Sequence, residues 1–269
     1  MRAMLSKSET VLLVACAGLF AVALLGPPIA QPAHYHGFAD QRTIWTLPFF
    51  MDVVSNLGFA LAGLAGAWSL YRLPPRTLSN VQCAMAGLFF AGLLLTALAS
   101  SWYHWQPDDA GLSIDRGGMA FAFAGVLGLA AASRVSERAG AALGLAVLLL
   151  APLSIHAGAQ AGNVLPWAVL QFGGMALILW SALLHPRNGT PQVRWGLVIL
   201  AYAAAKLLEI NDHEVYAFTD QLVSGHTLKH WVAALAAVPV IVAIGAMGGS
   251  GQNALDRTKD SAARPAGNA

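Results

Sequence analysis

The sequence predicts an all-α membrane protein, a seven-helix transmembrane bundle preceded by one additional N-terminal transmembrane helix. Three observations carry this. First, 57% of the 269 residues are hydrophobic and only 10% are charged, against about 25% charged in a typical soluble domain. Second, the chain contains eight predominantly apolar stretches near the roughly 20 residues that a membrane-crossing helix needs. Third, the basic residues alternate between the loops in the manner of a multi-pass protein.

The stretches span about residues 10–30, 52–71, 81–103, 115–133, 139–156, 164–185, 193–210 and 226–247. Prolines or polar clusters bound them, among them Pro27-Pro28, Pro74-Pro75-Arg76, Pro107-Asp108-Asp109 and Pro186-Arg187-Asn188-Gly189. Proline removes a backbone donor that lipid cannot replace, so these are stop signals. Gly, Ala and Ser within the stretches permit close helix packing. The first stretch follows Arg2 and Lys7 and resembles a signal peptide in outline. Its length exceeds the usual apolar core of about 7–15 residues, so it reads as a retained helix. Cys16 and Cys83 fall inside apolar stretches and read as packing residues.

With a cytoplasmic N-terminus and eight crossings, Arg2, Lys7, Arg72, Arg76, Arg134, Arg138, Arg187, Arg194, Arg257, Lys259 and Arg264 share the cytoplasmic side. These are eleven of the fifteen basic residues, and Arg42, Arg116, Lys206 and Lys229 are the other four. The chain then divides into an N-terminal helix (1–30), an interfacial segment (31–50), a seven-helix domain (51–248) and a disordered cytoplasmic tail (249–269). The expected location is a bacterial inner membrane, with both termini cytoplasmic.

Ionisable groups within spanning helices are costly and mark candidate sites. Ser100 and His104 are four apart and share a helix face, as do His226 and His230. Asp115 opens the fourth stretch a short loop after His104. Each cluster has an ordinary reading: an interface pair, a carboxylate in a first helical turn, a polar helix end. Topology places all of them near the non-cytoplasmic face. Three histidines from two helices there leave a fourth metal position open, the catalytic form of a zinc site. Asp115 is then the candidate base and Ser100 the candidate oxyanion donor.

The combined pattern Ser100-x-x-x-His104, Asp115 and His226-x-x-x-His230 resembles the alkaline ceramidase family, in the CREST superfamily of membrane hydrolases, and suggests a bacterial-type member. Asp52-Val53-Val54-Ser55-Asn56 resembles the Asn-Thr-x-Ser-Asn of that family's first core helix, with Asp52 in place of asparagine. The resemblance covers about residues 52–247. It implies Zn2+ held by His104, His226 and His230, with Ser55, Asn56 and Asp52 behind the ligands. It also implies a ceramide-like lipid as partner, and no nucleic acid, with cleavage to a fatty acid and a sphingoid base. Eukaryotic relatives also bind calcium through an acidic cluster. Here that region offers only Asp40, and Phe49 stands where a glutamate would align, which argues against the calcium site. Other readings are an adiponectin-receptor-like receptor or scaffold without efficient hydrolysis, a haem-binding protein and a transporter.

Several polar residues are expected to lie outside the site. His156 and His185 read as helix-end residues, and His34 and His36 as interfacial. Glu209, Asp212, Glu214 and Asp220 read as a solvated loop, and Lys229 should point away from His226. Trp102, Tyr103, Trp105 and Trp231 suit an interface belt or a lipid entrance.

Overall fold

A computed structural model describes residues 4–248. The tail expected at 249–269 lies outside the described residues. The chain is an all-α membrane bundle, and the described residues form no strands. Seven helices are long and apolar enough to cross a membrane. They are α1 (Lys7–Leu25), α2 (Phe50–Tyr71), α3 (Asn80–Trp105), α4 (Asp109–Arg134), α5 (Glu137–Ala161), α6 (Leu165–Leu183) and α9 (Gly225–Gly248). The remaining predicted stretch is α7 (Trp195–Ile210). It has 16 residues, a length of about 24 Å, shorter than the other spans but running from one end of the bundle to the other. The short helix α8 (Asp212–Phe218) follows it.

Local chemistry sets the ends. Ser6 and Glu9 form a capping box on α1, and Ser79 and Gln82 form one on α3. Asp108 accepts the Gly111 N–H at 2.6 Å, which starts α4 six residues before the predicted position. The acidic pair after Pro107, read from sequence only as a stop, is therefore the cap of the next helix. Asp115 consequently lies in the second turn of α4, and the helix-dipole explanation for it no longer applies.

Small residues let α3 and α4 touch backbone to backbone. A Cβ at Gly92 would fall 2.2 Å from Ala122 N, and one at Gly125 would fall 2.2 Å from Phe89 N. This contact fixes the depth of His104 relative to Asp115. α1 lies against α6, where the Leu19 side chain packs onto Gly173.

At one end of the bundle, Arg138 Nε donates to Glu9 at 2.5 Å, joining α5 to α1. Arg134 donates to the Leu184 carbonyl at 2.7 Å and Arg187 to the Ala132 carbonyl at 2.6 Å. The histidines occupy the other end, where α3 and α7 finish and α2, α4 and α9 begin.

Candidate metal centre

His104 is the penultimate residue of α3, whereas His226 and His230 lie in the first turns of α9. All three are buried, and their ligand nitrogens lie within 4.8 Å of one another. The group could hold a metal ion. His104 Nε2 and His226 Nε2 face each other at 3.2 Å. Two nitrogens bound about 2.05 Å from one tetrahedral ion stand about 3.3 Å apart, so the separation suits two ligands of a single ion.

One tautomer can be assigned. The Ser55 hydroxyl lies 2.9 Å from the Asp52 carbonyl, which can only accept, and 2.7 Å from His230 Nδ1. The single hydroxyl proton goes to the carbonyl, and Ser55 Oγ accepts the Nδ1–H. His230 Nε2 is left with its lone pair free for a metal.

The Asp52 backbone also faces the His230 ring. The Thr227 hydroxyl donates to Asp52 Oδ1 at 2.6 Å, tying the start of α2 to the start of α9. The Asn56 amide donates to the Asp52 carbonyl at 2.9 Å, bracing the same turn.

α9 needs close backbone contact to reach this position. A Cβ at Gly225 would fall 2.3 Å from the Leu208 carbonyl oxygen. Asp212 completes the junction. Its Oδ1 accepts the His226 N–H at 2.7 Å, and its Oδ2 accepts the Ala39 N–H at 2.9 Å. Phe38, held by this anchor, roofs the centre with ring centroids 4.6 Å from His104 and 4.4 Å from His226.

The centre opens on a cavity of about 520 Å³. Ser100, Asp115, Glu209, His226, Lys229 and His230 contribute its polar wall, and Phe59, Phe89, Leu93, Phe123 and Val198 its apolar wall. Asp115 is half-buried there, with the Ser100 hydroxyl facing its carboxylate. Asp115 Oδ1 has no hydrogen-bond partner among the described residues.

Several expectations are corrected. Lys229 lines the cavity and donates to Glu209 at 3.1 Å, and Lys206 pairs with the same carboxylate. Glu209 and Asp212 belong to the cavity wall, not to a solvated loop. Lys206 and Glu209, in an otherwise apolar stretch, carried a signal that could have been read. Nothing in the sequence marks the backbone partners of Asp212. Tyr103 is buried, packing on Phe38 and bonding His36 Nδ1 at 2.8 Å, whereas Trp102, Trp105 and Trp231 are exposed.

The other histidines stand apart from the triad. His36 also contacts Asp109 at 3.2 Å, His34 lies at the cavity rim, and His156 is exposed. His213 contacts the Gly37 carbonyl at 3.0 Å. Asp40 is bidentate to Arg42, at 2.8 and 2.5 Å, and raises the guanidinium pKa. Burial pushes the Tyr35 phenol up.

The fold and this centre define a multi-pass helical membrane protein with a buried three-histidine group able to hold a metal. No protein-family model, curated protein or solved structure matches the chain.

Proposed function

We propose that the chain is a zinc-dependent membrane hydrolase that cleaves the amide bond of ceramide-like lipids to a fatty acid and a sphingoid base. One observation carries the reading. Three buried histidines with converging nitrogens open onto a cavity that passes from polar to apolar wall. Such a cavity suits an amphiphile with its polar bond at the centre and its chain among phenylalanines. The lipid amide itself is supported by the resemblance of Ser100, His104, Asp115, His226 and His230 to the ceramidase pattern.

His104, His226 and His230 would hold the ion. When bound, zinc polarises a carbonyl and lowers the pKa of a coordinated water to about 7. The chain's own residues do the rest. Asp115 accepts a proton from the attacking water and returns it to the departing amine as the C–N bond breaks. Ser100 donates its hydroxyl proton in a hydrogen bond to the oxygen on which charge develops. Phe38 keeps bulk water off His104 and His226.

The site is assigned to the non-cytoplasmic face of a bacterial inner membrane, with both termini cytoplasmic. Arg134, Arg138 and Arg187 gather at the opposite end, in keeping with the positive-inside rule. The haem alternative lacks room. The three imidazoles pack edge to face, with centroids 4.7–5.0 Å apart, leaving no slot between them for a porphyrin.

The test is purified full-length protein with fluorescent ceramides of varied acyl length, with and without a chelator, beside metal analysis. Chelator-sensitive turnover with about one zinc per chain is the expected result. Bound zinc without turnover of any lipid amide would point to a receptor or scaffold. Absence of both zinc and turnover would sink the proposal.

A further inference from the structure

Arg116 is a cation on the cavity wall that the proposed chemistry does not use, and it is only 5% exposed. A charge inside an apolar bundle is costly unless it is paired. The other two cations of the wall meet that condition, because Lys206 and Lys229 share Glu209. Asp212 is taken up by backbone N–H groups. Arg116 pairs with no carboxylate among the described residues. Asp115, the residue before it, faces Ser100.

The immediate surroundings of the guanidinium are aromatic and neutral. Its central carbon lies 5.6 Å from the Tyr35 ring centroid and 5.7 Å from that of Trp167. Ring faces attract the charge but leave the in-plane N–H donors to other partners. Its described acceptors are Gln31 Oε1, 3.5 Å from Nη2, and the Tyr35 phenol. Nε is buried with no hydrogen-bond partner among the described residues. Gln31 and Tyr35 belong to the segment that carries Phe38 over the histidines, so the guanidinium lies at the same end of the bundle as the triad.

We infer that Arg116 is a subsite for an anionic head group, so that the lipid amide accepted here carries a carboxylate or a phosphate close to its amide bond. A guanidinium is a planar fork of N–H donors that matches either oxyanion. Arg116 and Asp115 have Cα atoms about 3.8 Å apart, and both side chains line the cavity. An amide beside Asp115 and an oxyanion beside Arg116 therefore fall within one head group. The oxyanion accepts from Nε and supplies the missing countercharge, and a neutral alcohol at the same place supplies no charge. The inference rests on the reading of the cavity as a lipid-amide site, and it does not require hydrolysis.

The test is a binding experiment. Full-length protein in nanodiscs is loaded with a fluorescent N-acyl ethanolamine. The competitors are N-oleoyl ethanolamine, N-oleoyl glycine and the phosphate monoester of N-oleoyl ethanolamine, with inorganic phosphate as the free anion. At least one of the two anionic lipids should compete about 10–100-fold better than the neutral one, the worth of a charge-assisted hydrogen bond. Arg116→Gln should abolish that preference with the metal content unchanged, which separates it from any contact of the anion with the ion. Arg116→Lys should keep part of it, since the charge remains and the fork is lost. Equal competition by the neutral and both anionic lipids in the wild-type protein overturns the inference, whether or not the variants fold. So does a preference that survives Arg116→Gln, competition by inorganic phosphate as strong as that of the anionic lipids, or failure of every lipid to bind. Absence of turnover with the preference intact would remove the hydrolase reading and leave this subsite standing. Turnover of neutral ceramides without the preference would do the reverse.

Discussion

Ser55 Oγ stands 2.7 Å from His230 Nδ1, and its proton is committed to the Asp52 carbonyl 2.9 Å away. The second turn of α2 thereby dictates which nitrogen of a histidine on α9 faces the centre. Orienting contacts of this kind typically contribute about 10–100-fold in metal affinity. Ser55→Ala should weaken zinc binding by about that factor with little change in fold, as read by competition with a chromophoric chelator. Unchanged affinity would mean that His230 is oriented by packing alone.

The triad itself divides cleanly from the surrounding histidines. His226→Ala or His230→Ala should remove bound metal and activity together. His36→Ala should leave metal content unchanged, because His36 bonds Tyr103 and Asp109 instead. Elemental analysis of the three purified variants checks this.

Asp115 is tested by separating binding from turnover. Asp115→Asn keeps the shape but loses the basic oxygen. Metal content should hold while turnover falls about 10²–10⁴-fold, the usual worth of a positioned proton acceptor. Full activity in this variant would remove the role given to Asp115.

Asp212→Ala should act through stability. It strips the acceptor from the buried His226 N–H and the part-buried Ala39 N–H, at about 1–3 kcal/mol for the buried donor left unmet. A lowered Tm, with faster proteolysis of the segment around Phe38, is the expected signature.

Gly225→Ala probes the α7–α9 junction. The added methyl would meet the Leu208 carbonyl oxygen at 2.3 Å, so α9 must shift. The cost should be about 1–3 kcal/mol or more. Because His226 is the next residue, metal affinity should fall with thermal stability. Retained affinity at wild-type Tm would show that the junction yields freely.

Much of the architecture was legible because lipid imposes strong rules on sequence. Apolar runs of fixed length gave the helices, and the placement of Arg134, Arg138 and Arg187 sorted their ends. Four-residue spacing put His226 beside His230, and the short connection from His104 to Asp115 kept those two at one depth. What was not legible depends on backbone atoms and on three-dimensional crossings. Asp212 is partnered by N–H groups, which no residue pattern reveals. Lys229 points inward because Glu209 of α7 waits there. Tyr103 is buried because Phe38, more than sixty residues away, folds over it. The start of α4 was missed because a proline ending one helix sits directly before the aspartate that caps the next.

The triad joins residue 104 to residues 226 and 230, and that span matters while the chain is being made. A ribosome releases the first eight helices with one histidine of the three in place. No partial product can assemble the centre, however far its insertion has gone. The complete three-histidine group is therefore withheld until synthesis has passed His230, and a copy terminated earlier lacks at least one of its ligands.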